Sequence, residues 1–436
     1  MSKLAIRGGK KLRDNLFPGY IVMGEEEAQA AYDVVKSGVL SKFLGCWDPD
    51  FFGGPQIQAF ENECKEYFGV KHAITVNSNS SGLICALGAL GIGPGDEVIV
   101  SPFSMTISAS SPLFYGAVPV FADIEEDYFC LSAAAVEKKI TSRTKAILAV
   151  DFFGQPYDVD GLNALSKKYN IPIIEDNAQG PLATFKNKYA GTLGTIGVFS
   201  LNYHKHIHTG EGGIIVTNDD DLATRCQLIR NHAEAVVDPM GYKGSPVNLI
   251  GFNFRMTEVE AAIGRCQLKK LKDLVLIRRE NVQFLEQQLK GIDYLIMPKV
   301  RENCTHSYYG HAIRFKEEIA LINRKTFVDA VIAELPATEL RETEGVLMGV
   351  GGVKPLYLQS LYQNRTGIGR LGYPFNDPNN KSEMNYQKGI CPVVEKLHFQ
   401  ELFIHELMRP GMSKQDLTDV ANAFHKVAEN INDLRE

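Results

Sequence analysis

Seven short runs rich in Val, Ile and Phe recur between Lys71 and Asn218, and their spacing limits the fold more than any other feature of the chain. They read HAITV, DEVIVS, VPVFADI, KAILAVDFF, IPIIED, GVFSL and GGIIVTND. Runs of this length and composition predict strands. Helical patterns lie between several of them, such as SSGLICALGAL after the first and DVDGLNALSKKYN before IPIIED. That alternation predicts an α/β fold with a mostly parallel sheet, crossover helices and some antiparallel edges. In such sheets ligands bind beyond the carboxyl ends of the strands, where loops and helix N-termini converge, so the chemistry is expected there.

The rest of the chain predicts a second unit. A chain of 436 residues is too long for one hydrophobic core, so two or three packed units are expected. Thr257 and Glu260 fit a T-x-x-E capping box that opens a long helical pattern ending at Gly291. A second helix is expected from Ser413, with Asp416 at the reciprocal capping position and Leu417, Val420, Phe424, Val427 and Ile431 as its apolar stripe. Between them, residues 336–389 form an irregular stretch of a kind that is functional or mobile. The expected division is a large unit over 1–256, a connecting helix over 257–290 and a smaller α+β unit over 291–436.

Composition narrows the partners. Forty-six basic against 52 acidic residues give a formal charge of -6, and no block of Lys and Arg is present to track a phosphate backbone, so nucleic acid is not expected. The eight cysteines (Cys46, Cys64, Cys85, Cys130, Cys226, Cys266, Cys304 and Cys391) include no C-x-x-C pair and read as reduced thiols. The start, MSKLAIRGGKKLRDN, lacks the apolar region of a signal peptide, and no stretch reaches the ~20 apolar residues of a membrane span. The cytoplasm is the expected compartment, and no membrane partner is expected.

Four segments carry candidate chemistry. Ser78, Asn79, Ser80 and Ser81 follow a strand and open a helix, where free backbone N–H groups can hold an anion; the same cluster also suits a plain helix cap. Asp176 ends IPIIED, and a carboxylate emerging from a buried strand needs a cation or donor such as a protonated pyridinium, although an Asp there also caps helices. Lys205 lies in a loop full of glycine and hydroxyl residues between two strands, where a desolvated amine can form an imine; an isolated lysine is otherwise a surface residue. His204, His206 and His208 flank it without the Cys or carboxylate set of a metal site, so no metal is expected. Asn253 and Arg255, just ahead of the long helix, offer a neutral and a charged phosphate donor.

Taken together, these segments resemble the sugar aminotransferase family named for DegT, DnrJ, EryC1 and StrS. The likeness runs nearly the whole chain, through FENECKEYFGVKHAITVNSNSSGL, GIGPGDEVIVSPFS, IPIIEDNAQG, FSLNYHKHIHTGEGGIIVTND and GFNFRMTEVEAAIG in the family's order. It implies a pyridoxal 5'-phosphate enzyme of fold type I, with the aspartate aminotransferase architecture: a mixed, mostly parallel seven-stranded sheet in a large domain and a smaller α+β C-terminal domain. It also implies a homodimer with shared active sites. By position, Lys205 matches the lysine that carries the cofactor, Asp176 the partner of the pyridine nitrogen, and Gln179 the residue near the cofactor hydroxyl. Ser78, Asn79, Ser80 and Ser200 fall at the phosphate, and Asn253 matches an asparagine that reaches it from the neighbouring subunit. Met105 stands where the family usually stacks an aromatic residue on the ring, giving a softer sulfur contact.

The implied reaction moves an amino group from glutamate to a keto-sugar. The C-terminal region most resembles the enzymes that make 8-amino-3,8-dideoxy-manno-octulosonate, an amino sugar acid of lipopolysaccharide; nucleotide-linked keto-hexoses are the alternative. An acidic acceptor needs a cationic pocket, for which Arg255, Lys354, Arg365 and Arg370 are candidates. A dehydratase of the same family has histidine in place of the lysine, and a non-catalytic sensor could keep the fold. Lys205, together with Asp176, Gln179 and Ser200, weighs against both.

Overall fold

The computed structural model describes residues 3–244 and 247–435. All seven expected strands form: β1 (His72–Val76), β2 (Glu97–Val100), β3 (Val118–Phe121), β4 (Thr144–Val150), β5 (Ile173–Asp176), β6 (Ile196–Ser200) and β7 (Gly213–Thr217). They make one sheet in the order β1-β7-β6-β5-β4-β2-β3. The pairs from β3 through β2, β4 and β5 to β6 are parallel. β7 runs antiparallel to both β6 and β1. β1 therefore points the same way as β4, β5 and β6, and their carboxyl ends share one end of the sheet. The runs are apolar without alternation because the sheet is covered on both faces; Val98, Ile99, Val100, Ile147, Leu148 and Ile174 are all fully buried.

Helix α1 (Asn79–Ala89) follows β1 and is buried along nearly its whole length. A helix apolar on all sides belongs inside a core. It approaches the sheet closely because Gly82 has no side chain; a Cβ there would stand 2.4 Å from Val198 Cγ1.

Helix α2 (Glu258–Gln288) begins at the expected capping box, with Thr257 Oγ1 accepting from Glu260 N at 3.2 Å and the Glu260 carboxylate accepting from Thr257 N at 2.8 Å. Its first turns bury Ala261, Leu268, Leu271 and Val275 with Phe60 and Phe199, while Val282 and Leu285 belong to a different core. That second core lies on an antiparallel sheet of β8 (Leu295–Ile296), β9 (His311–Phe315), β10 (Met348–Val350) and β11 (Leu402–His405), ordered β8-β9-β11-β10. Helix α3 (Lys414–Glu429) contributes Leu417, Val420, Phe424 and Val427 to it, and its Ser413–Asp416 capping box is present; Ile431 lies just beyond, partly buried.

Two long-range packings have no local signal. Leu4 and Phe17, from the start of the chain, are buried in the second core. Residues 336–389 are not uniformly irregular: they supply β10, and then Tyr357, Tyr362 and Tyr386 pack around Phe121 on the edge strand β3, with ring centroids 5.6, 5.1 and 5.7 Å away. That aromatic cover closes a sheet edge. All eight cysteines are free. Among the described residues no helix is long and apolar enough to cross a membrane.

Gly82→Val is expected to push α1 off β6 and destabilise the protein by roughly 2 kcal/mol, the scale of an overpacked core. Urea unfolding tests this; an unchanged midpoint refutes the close packing.

Candidate active site

The shared end of β1, β4, β5 and β6 holds a cavity of about 380 Å³. Ser78, Asn79, Ser80, Met105, Asp176, Gln179, Ser200 and Lys205 all border it. Segments far apart in sequence meet there because each follows or ends one of these strands or their parallel neighbour β2.

Asp176, the last residue of β5, is 2% exposed. Its carboxylate accepts from Ser108 Oγ at 2.8 Å, Asn79 Nδ2 at 3.2 Å and Ala178 N at 3.2 Å. Burial pushes its carboxyl above the ordinary range, opposed by those donors and by the Lys205 charge. Neutral donors alone leave a buried negative charge that favours a cation. Lys205 lies in the turn after β6, its backbone N donating to Asn202 O at 2.9 Å. Its side chain is buried, with Nζ 4.3 Å from the Tyr309 ring centroid. Burial lowers its pKa to about 8, and Asp176 holds it from falling further. The loop returning to β7 turns at Gly210 and Gly212, whose φ of +86° and +152° side chains rarely adopt.

Ser78 is both a cap and a cavity wall, its Oγ accepting from Ser81 N at 3.0 Å. The next N–H groups of α1, those of Asn79 and Ser80, have no partner within a helix and suit an anion. Asn79 departs from expectation: its side chain is turned to Asp176 and to Val198 O, leaving its backbone N–H as the anion donor. Gln179 accepts from Phe153 N at 2.8 Å, Ser200 Oγ accepts from Asn202 N at 3.3 Å, and Met105 is 55% exposed at the cavity wall. Among the histidines, His206 is buried and bonded to Ser307 O, while His204 borders the cavity against Tyr203. Among the described residues no group of three or more His, Cys, Asp or Glu is placed to hold a metal.

Other expected residues lie elsewhere. Asn253 is exposed, outside the cavity of its own chain, and its Oδ1 accepts from Arg255 Nε at 2.7 Å. Arg255 otherwise reaches Phe43 O, Arg365 donates to Met384 O, and Lys354 and Arg370 are exposed, so none of the four proposed cations borders the cavity. Ser108 and Tyr309 were missed. Ser108 had a weak signal, the serine spacing of SPFSMTISAS that lets Ser104 and Ser108 share a 2.9 Å hydrogen bond; Tyr309 had none, because it arrives from the second unit.

These residues fit pyridoxal phosphate. Hydroxyls and helix N–H groups suit a phosphate, a buried carboxylate suits a protonated ring nitrogen, and a depressed amine suits a carbonyl.

Residues 47–367 match the family described as DegT/DnrJ/EryC1/StrS aminotransferase. The chain belongs to that family. Like its relatives it is a pyridoxal-phosphate-dependent aminotransferase. It is 39% identical over 297 residues to GDP-perosamine synthase of Caulobacter vibrioides, covering 67% of this chain and 77% of that one. It is 31% identical over 441 residues to L-glutamine:2-deoxy-scyllo-inosose aminotransferase of Streptomyces lividus, covering 99% of each. The solved aminotransferase from Psychrobacter cryohalolentis superposes with a TM-score of 0.79 at 28% identity, over 95% of this chain and all of that one.

In the cofactor-free protein, Lys205 is expected to acetylate with a midpoint near pH 8. Its neutral form grows as pH rises, and Asp176→Asn, which removes the charge stabilising the ammonium, should move the midpoint lower. Mass spectrometry across a pH series reads this; a midpoint near the ~10.4 of a solvated lysine refutes the buried environment.

Proposed function

We propose that the protein moves an amino group from glutamate to a keto-sugar, with 8-keto-3-deoxy-manno-octulosonate as acceptor and 8-amino-3,8-dideoxy-manno-octulosonate, for lipopolysaccharide, as product. The observation that carries the transfer is the meeting of Lys205 and Asp176 in one cavity. Bound pyridoxal phosphate supplies an electron-accepting ring that carries the nitrogen between the two substrates. Lys205 Nζ would anchor it and, once freed, would move a proton from the donor Cα to the cofactor's carbonyl-derived carbon. Asp176 would keep the ring nitrogen protonated, with Ser108 and Asn79 holding that carboxylate in place. Ser78, Ser80 and Ser200 hydroxyls, with the first N–H groups of α1, hold the phosphate. Gln179 and Met105, both on the cavity wall, would contact the ring. The same groups act in reverse on the acceptor, so the kinetics are ping-pong.

Further parts of the reading follow. The protein works as a homodimer in which Asn253 completes the partner's site, a role suited to its exposure. It acts in the cytoplasm. Its chain divides into a large unit (1–256), a connecting helix (257–290) and a smaller unit (291–436). The relationship to GDP-perosamine synthase favours a nucleotide-linked keto-hexose as the second acceptor class. The inosose aminotransferase, named for L-glutamine, makes glutamine the donor to compare with glutamate.

The loaded protein should absorb in the visible, and glutamate should bleach that band. Lys205→Ala should lose at least about a thousandfold in turnover, the scale of a missing general base. An unbleached band with both donors, or an active Lys205→Ala, refutes the assignment. An acceptor panel of the 8-keto sugar acid against nucleotide 4-keto and 3-keto hexoses should give the highest kcat/KM with the sugar acid. A preference for a nucleotide sugar replaces the acceptor and leaves the transfer standing.

A further inference from the structure

We propose that a second cavity beside the cofactor site is a carboxylate-binding subsite, with Arg409 as its fork and Arg341 as its flanking charge. The proposal rests on the aminotransferase reading and names where a substrate's carboxylate docks. The cavity is about 250 Å³, and Tyr203 and His204 border both it and the cofactor cavity, so the two spaces share a wall. Tyr20, Arg341 and Arg409 lie across from that wall.

The Arg409 side chain is 7% exposed. Its Nη2 is paired with Glu406 Oε2, and its buried Nε has no hydrogen-bond partner. Behind it, Arg278 is fully buried and has no carboxylate partner among the described residues; it donates only to the carbonyls of Tyr308 and Tyr309. Both guanidiniums lie against Tyr20, 5.0 Å (Arg278) and 5.5 Å (Arg409) from the ring centroid. Arg341 pairs with Glu344 at 2.5 Å and Glu406 at 3.1 Å.

By formal count, Glu344, Glu406 and the rim residue Glu339 balance the three arginines. Burial breaks the balance. The Glu344 side chain is 44% exposed and Glu339 is exposed, so water screens them, while Arg278 and Arg409 sit out of water. The excess positive potential registers at the shared wall, where Arg341 and Arg409 add to burial in holding His204 down to about 4. A buried guanidinium with an unused donor is costly, and a substrate carboxylate entering beside Glu406 would accept from Nε. Any α-amino acid donor whose amine takes the place of Lys205 Nζ carries such a group a few bonds away, as does a sugar acid acceptor.

The test is calorimetric binding to the holoenzyme, which needs no turnover. The probes are glutarate, for the donor, and 3-deoxy-manno-octulosonate, for the acceptor without its second keto group. Arg409→Lys keeps the charge and loses the fork, and should weaken one or both probes by about tenfold or more. Arg341→Gln should weaken the same probe by about threefold. Unchanged cofactor absorbance and unfolding midpoint certify each variant; if Arg409→Lys does not fold, Arg341→Gln decides. Loss confined to glutarate assigns the subsite to the donor, and loss confined to the sugar acid assigns it to the acceptor. Undiminished binding of both probes overturns the proposal. Arg409-dependent binding in a holoenzyme that transfers no nitrogen would keep this subsite and reject the proposed reaction.

Discussion

Everything at the active end of this molecule is arranged around one buried carboxylate. Asp176 ends the central strand β5 at 2% exposure, surrounded by neutral donors from α1, from the Ser104–Ser108 turn and from its own following turn. A negative charge so placed is stable only if a cation is near, and Lys205 alone, itself depressed by burial, is an incomplete counterion. The site is thus electrostatically set for a cationic ring. The close approach of α1 at Gly82 and the turns at Gly210 and Gly212 are backbone means to the same end, since they bring the donors and the amine to that carboxylate.

The second unit is as necessary to the site as the first. Tyr309 beneath Lys205, and Arg341 and Arg409 in the adjoining cavity, come from the chain beyond α2. They are held there because α2 belongs to both cores, and because Leu4 and Phe17 bind the start of the chain into the second one. Tyr20, a few residues after Phe17, is carried by that packing to the arginine cavity. The parallel sheet presents the groups that suit the cofactor, and the second unit lines the adjoining cavity with Arg341 and Arg409.

The seven strands and the two capping boxes were legible because their signals are local: apolar runs of strand length, and a hydroxyl three residues before a carboxylate. Most of the candidate site was legible for a related reason, since a strand end followed by Ser78–Ser80, Asp176 or Ser200–Lys205 places side chains at one end of a parallel sheet. The cations were not. Arg255, Lys354, Arg365 and Arg370 look like Arg341 and Arg409 in sequence, and only packing distinguishes an arginine on the surface from one sealed behind Tyr20. The stretch 336–389 misled similarly, because its glycines and asparagines hide the tyrosines that close the β3 edge.

By itself the sequence determined the sheet, its capped helices, the family and the candidate lysine and aspartate, because each depends on residue type and short-range spacing. Only the tertiary structure decided that the Asn79 side chain serves Asp176, that Tyr309 lies under Lys205, and that two guanidiniums stand buried beside the cofactor cavity. Those facts depend on desolvation and on contacts between segments more than 90 residues apart, and neither a residue's type nor its neighbours in the chain specify how deeply it will be buried or what will face it.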